Sequence, residues 1–256
     1  MTATLDQFVD EWQRWHAERN DGLRQPLGWL SLTALHWLDE TPTSFDEAPG
    51  RWHVDGGSVV HELDGETTTY EPVEGAPGLE AEFDRGFVEI IRRTGRFGIR
   101  IHDRTAPALA SFTGVPAYEP DASWVLTGRF EAFDEQQVVT TGAVVDGLEH
   151  HHPAAGVVRF GYDGAEHELV AFGEDGGPLR ILFTDATSGV TTYPAARILQ
   201  VDMPAADGTV TLDFTRAANL PCAFTDAATC PIAPPQNRLP FAVEAGERNP
   251  RVGESS

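Results

Sequence analysis

"GFVEIIRRTGRFGIRIHD" runs from Gly86 to Asp103. Phe97, Ile99 and Ile101 alternate with Arg96, Gly98, Arg100 and His102. A period of two puts the apolar set on one face and the polar set on the other, the pattern of a half-buried strand. Thr94 and Gly95 interrupt the run between two such stretches, which reads as a hairpin. "RWHVDGGSVVHEL" (Arg51 to Leu63) repeats the form around Gly56 and Gly57. Downstream, "SWVLTGRFEAF", "QQVVTTGAVV", "GVVRFGYDGAEHELVAFG", "LRILFTD", "TTYPAARILQVDM" and "GTVTLDFTR" continue the series, punctuated by Asp-Gly turns. Many short strands at close spacing predict antiparallel sandwiches or barrels.

Residues 4–19 read differently. Leu5, Phe8, Val9, Trp12 and Trp15 follow helical spacing, Thr4 with Gln7 fits a capping box, and Gly22 marks a stop. "GWLSLTALHWL" (Gly28 to Leu38) satisfies neither period and is assigned to strand. The Pro- and Ala-rich stretch 103–122 marks a lobe boundary. The expected organisation is mainly β: an N-terminal amphipathic helix (1–24), an N-terminal sandwich-like β lobe (25–110), a C-terminal β-barrel-like lobe (111–247) and a frayed tail (248–256).

The chain has 256 residues and a net charge of -22, from 40 acidic and 18 basic side chains. That field repels phosphate backbones and anionic lipid, so neither nucleic acid nor membrane is expected as a partner. There is no lysine, which excludes lysine Schiff-base chemistry and the phosphate-loop lysine. The start "MTATLDQFVDEWQRW" lacks the basic and apolar regions of a signal peptide, and no run approaches a membrane span, so a cytoplasmic location is expected. The serine-elbow, dinucleotide, zincin and EF-hand signatures are missing. No cofactor is expected.

"EHHHP" (Glu149 to Pro153) offers the sharpest metal pattern, because His150 and His152 would share a face if the segment were a strand. No third ligand follows at a suitable spacing, so an exposed turn before Pro153 is the favoured reading and a metal site at Glu149, His150 and His152 the minor one. Cys222 and Cys230 sit eight positions apart, neither a redox pair nor a zinc knuckle, and are read as buried thiols, with a disulfide or metal ligation as alternatives. Arg216 or Arg238 is a candidate cation beside them. In "FTDATSGVTTYPAARIL", Asp185, Thr187 and Ser188 form a turn, and Tyr193 and Arg197 are expected on one face of the next strand. In "TLDFTRAANLP", Asp213 and Thr215 are expected on one face and Phe214 and Arg216 on the other.

These C-terminal residues resemble the bacterial and archaeal "domain of unknown function 1684" family. Its pattern, D-F-N-R-A-x-N-P-P-C-A-F-T followed by A-T-C-P-x-P-P-x-N-R-L-P, stands here as "DFTRAANLPCAFTDAATCPIAPPQNRLP", with Thr215 in place of Asn and Leu220 in place of Pro. The resemblance implies positions rather than chemistry: Asp185, Thr187, Ser188, Tyr193, Arg197, Asp213, Arg216, Asn219, Asn237, Arg238 and Glu244. Together with Cys222 and Cys230, these outline an expected polar pocket between the 183–197 hairpin and the 213–244 loop, suited to a small anionic or polar metabolite. Asp213 or Glu244 is the candidate base, although no reaction is selected. The alternative is a structural or interaction module in which the loop is a hydrogen-bonded corner.

Overall fold

The computed structural model describes residues 2–173 and 177–251. Helix α1 (Thr2–Leu23) is followed by eight strands: β1 (Leu32–Trp37), β2 (Thr43–Phe45), β3 (Ala48–Asp55), β4 (Ser58–Leu63), β5 (Glu66–Tyr70), β6 (Leu79–Phe83), β7 (Gly86–Arg93) and β8 (Arg96–Asp103). They form two antiparallel sheets, ordered β1-β8-β7-β6 and β2-β3-β4-β5. The sheets share one core. Ala48, Trp52 and Val59 of the second meet Val88, Ile90, Ile99 and Ile101 of the first. The quoted hairpin is β7–β8, with Arg93 opposite Arg96 and positive φ at Thr94 (51°) and Gly95 (74°), the backbone a two-residue hairpin turn demands.

The mixed period of Gly28 to Leu38 has a simple origin. A 3-10 turn occupies Trp29–Ser31 and β1 begins at Leu32, so two geometries share one run. Helix α1 is longer than its spacing predicts. Thr4 lies inside it rather than at its cap, and Gly22 lies in its last turn, before the buried anchor Leu23. Polar groups fix it as firmly as apolar ones. The Trp12 indole N–H donates to Thr215 O at 2.8 Å, and Asn20 Oδ1 accepts from Val115 N at 2.9 Å.

A short helix, α2 (Pro107–Ser111), and a 3-10 turn (Ala122–Trp124) lead into seven more strands: β9 (Val125–Gly142), β10 (Glu149–Tyr162), β11 (Ala165–Phe172), β12 (Leu179–Phe183), β13 (Arg197–Val201), β14 (Thr209–Asp213) and β15 (Ala218–Asn219). Their order is β14-β9-β10-β11-β12-β13-β15. Two sequence runs expected as separate strands are the single long β9. It is bent where its pairing with β10 slips, Ala154 facing Gln137 but Gly156 facing Ala132. A Cβ on Gly156 would come within 2.2 Å of Glu131 O, so only glycine fits the bend.

The large sheet curls. Val210 and Leu212 near one edge share a core with Leu199 and Val201 near the other. Its central strands are buried on both faces. Leu169, Ile181 and Phe183 point into that core, while Val170, Phe172 and Leu182 pack beneath the loop carrying Leu220, Cys222, Ala227, Ala228 and Cys230. Burial on both faces explains why "ELVAF" and "RILF" are continuous apolar runs rather than alternating ones. Leu32 of β1 joins this second cluster, so the loop lies between the large sheet and the sandwich.

Arg248 to Arg251, part of the segment read as a tail, are tied down. Arg248 N donates to Pro116 O at 2.7 Å, and Arg251 Nε donates to Ala223 O at 2.9 Å. The rest of that tail, 252–256, lies outside the described residues. Among the described residues no helix is long and apolar enough to cross a membrane.

Candidate functional site

The turn after β12 and the first residue of β13 meet in a buried ion pair. Arg197 Nη2 donates to Asp185 Oδ2 at 2.8 Å, with both side chains almost fully buried. Arg197 also donates to the backbone oxygens of Val243 (3.0 Å) and Ala245. Asp185 Oδ1 accepts from Thr187 N (2.8 Å), Thr187 Oγ1 (2.6 Å) and Val243 N (3.1 Å). Thr187 Oγ1 also lies 2.9 Å from Thr192 Oγ1, and Asp185 N donates to Ser188 Oγ at 3.1 Å. Tyr193 is not on a strand with Arg197. It lies in the irregular segment before β13, so the expected shared face does not form.

Asn237 is fully buried, and its amide is fully used. Oδ1 accepts from Val170 N at 2.7 Å, while Nδ2 donates to Val170 O and Leu182 O at 2.8 Å each. Among the described residues, strands β11 and β12 pair only at Phe172 and Arg180, so the Asn237 amide supplies the next rung between them.

Strand β14 ends at Asp213, and Phe214–Arg216 is a 3-10 turn, so the expected face alternation stops there. Asp213 instead caps the turn, accepting from Thr215 N at 3.1 Å. The cap frees Arg216 to lie beside it. Arg216 Nε is 3.2 Å from Asp213 Oδ2, an ion pair not aligned as a hydrogen bond, and Nε has no hydrogen-bond partner among the described residues. A groove of about 520 Å3 opens here, walled by Trp15 and Arg19 of α1, Gln200 of β13, Asp213, Arg216 and Asn219. Asn219 is buried. Its Nδ2 donates to Arg248 O at 2.8 Å, and its Oδ1 has no partner among the described residues.

The thiols are free, buried and adjacent: Cys222 N donates to Cys230 Sγ at 3.2 Å. Cys222 is in a 3-10 turn, and the sulfur satisfies one of that turn's unpaired N–H groups. The hydrogen bond from Cys230 holds the Cys222 thiol below its usual range. The same contact, with burial, pushes Cys230 well up. Burial and the neighbouring Cys222 raise the Tyr193 phenol. The cation beside Cys222 is Arg251, whose Nη2 donates to Cys222 O at 3.0 Å, rather than Arg216 or Arg238.

Two expected site residues stand apart. Arg238 and Glu244 are exposed, and neither side chain has a hydrogen bond or ion pair among the described residues. The acid that matters is Glu247, fully buried and unforeseen. Its Oε1 accepts from Arg19 Nε at 2.8 Å and its Oε2 from Asn219 N at 2.6 Å. The signal lay in "VEAGE": a period of two puts Val243, Ala245 and Glu247 inside and Glu244 outside. A second unforeseen group lies on β7 and β8. Glu89 accepts from Arg100 at 2.6 and 2.8 Å and lies 3.3 Å from His102 Nε2. Burial opposes ionisation of Glu89, but the His102 and Arg100 contacts outweigh it and draw its pKa down to about 2.

"EHHHP" is not an exposed turn but the start of β10. Five-residue alternation places His150 and His152 on the inner face and Glu149 on the exposed one, so the three do not converge. The described residues hold no group of three or more His, Cys, Asp and Glu able to bind a metal.

A family model described as a protein of unknown function, DUF1684, matches residues 110–248. The solution NMR structure of an uncharacterized protein of Haloarcula marismortui is similar at 27% identity and a TM-score of 0.46, over 54% of this chain and 78% of that one. No curated protein matches.

Proposed function

The chain belongs to the DUF1684 family of proteins of unknown function, and from that premise we propose that it binds a small polar metabolite in the groove between α1 and the end of β14. One observation carries the reading. Among the described residues, Asn219 on the groove wall has a buried Oδ1 with no hydrogen-bond partner, and Arg216 beside it makes an ion pair with Asp213 that is not aligned as a hydrogen bond. Buried polar groups in folded proteins are nearly always satisfied, so an unpaired amide oxygen on a concavity, beside a guanidinium with donors to spare, favours a ligand. Arg216 supplies a planar, permanently charged donor for a carboxylate or phosphate. Asn219 Oδ1 accepts from a ligand hydroxyl or amine, Asp202 and Asp213 offer further acceptors, and the Trp15 ring provides an apolar wall. The ligand is a small hydroxylated or zwitterionic acid.

Thermal-shift screening with hydroxy acids, amino acids and sugar phosphates tests this. Ligand at about 100 times its Kd stabilises by about 2.7 kcal/mol. The expected result is a shift lost in Arg216→Ala and kept in Arg238→Ala, since Arg238 lies outside the groove. A ligand indifferent to Arg216→Ala removes the site assignment.

A second reading applies to the other family positions. Asp185, Thr187 and Asn237 direct their side chains to groups within the chain, as a structural corner does. Were no screened compound to depend on Arg216, that scaffold role would extend to the whole loop.

A further inference from the structure

A second cavity, of about 260 Å3, meets β13 at Ile198. Three ring systems border it. His150 and His152 are near-parallel, with centroids 5.9 Å apart and planes inclined by 13°. The Phe172 ring lies 4.9 Å from that of His152. Leu182, Ile198 and Leu220 complete an apolar wall, and the exposed Arg180 borders the space as well. His150 Nε2 is 2.6 Å from Thr229 O; a carbonyl only accepts, so this nitrogen carries a hydrogen and the ring's orientation is fixed. His152 Nε2 lies 3.2 Å from Thr141 Oγ1, which pins the second ring. Burial keeps both imidazoles uncharged at neutral pH. Arg180 then carries the one formal charge among the described lining side chains.

Flat ring faces, an aliphatic wall and one guanidinium define an amphipathic occupant. The volume is below that of a drug-sized pocket, roughly 300 Å3 and upward, so the body is a single ring. We infer that this cavity binds a small aryl carboxylate, with its ring against His152, Phe172 and Leu220 and its carboxylate on the Arg180 guanidinium. Arginine matches a carboxylate with two parallel N–H donors. The inference does not rest on the groove at Arg216, although Ile198 borders both spaces.

The test follows the imidazole NMR signals of the full chain during titration with benzoate and with its neutral isostere benzamide. Saturating shifts at both His150 and His152 are expected with benzoate, with affinity at least ten-fold weaker for benzamide. Arg180→Gln, a change at an exposed side chain, should weaken benzoate binding by a similar factor. Leu220→Trp should fill the cavity and abolish the shifts, while Arg216→Ala should leave them unchanged. Linear, non-saturating shifts would overturn the inference. So would equal affinity for benzoate and benzamide, or loss of binding in Arg216→Ala with Arg180→Gln unaffected.

Discussion

Glu244 and Glu247 show how three positions separate a surface charge from a structural one. Glu247 is fully buried, and its oxygens hold the Arg19 guanidinium and the Asn219 backbone N–H. Glu247→Gln removes the charge from a buried pair and should cost about 1.5–3 kcal/mol, whereas Glu244→Gln, at an exposed position, should stay within about 0.5 kcal/mol. Urea unfolding of the two variants measures the difference; equal costs would show that Glu247 is not a buried anchor. Gly246, beside it, has φ of 76°, and a Cβ there would lie 2.5 Å from Ala217 O, so the chain needs glycine to bring Glu247 inward. Residue chemistry was legible where it followed a period. Asp185 and Thr187 form the turn their types favour, whereas the inward histidines of β10 follow a strand alternation that the exposed-turn reading of their segment set aside. Glu247 was obscured because its partner Arg19 lies 228 positions away, and no local pattern announces such a pairing.

At the level of elements, turns were easier to read than strand ends. The β7–β8 hairpin forms at Thr94 and Gly95, because positive φ at two successive positions is a local demand. The end of β14 was hidden, since Asp213 caps a 3-10 turn using a side chain equally suited to a strand. Strand β10 carries a measurable consequence. Burial, the neighbouring His150 and Arg180, and His151 beside it lower the His152 pKa from 6.5 to about 4. The folded state therefore resists a proton that the unfolded chain accepts below about pH 6.5, so this residue's contribution to stability falls as pH drops from 6.5 to 4. After allowance for partial exposure the effect is on the order of 1 kcal/mol. His152→Asn should flatten that part of the stability–pH curve. An unchanged slope between pH 7 and pH 4 would contradict the assignment.

For the molecule as a whole, periodicity foretold the layers. A mainly β chain with a leading helix follows from alternation, Asp-Gly turns and one helical stripe. What alternation could not give was the curl of the seven-stranded sheet, which depends on contacts between β13 and β14 and on a bend permitted by Gly156. The net charge of -22 is set against internal pairs that salt reaches poorly. Raising NaCl from low to about 0.15 M shortens the screening length to about 8 Å and relieves surface repulsion. The Tm should rise over that range; a fall would mean that surface ion pairs outweigh the repulsion. The Asn237 amide has a consequence for how the molecule is made. The rung between β11 and β12 is supplied from 67 positions downstream of Val170. A growing polypeptide emerging from the ribosome therefore carries this one strand junction unsealed. It closes only when Asn237 arrives, so the loop that carries it acts as the late-arriving keystone of vectorial assembly.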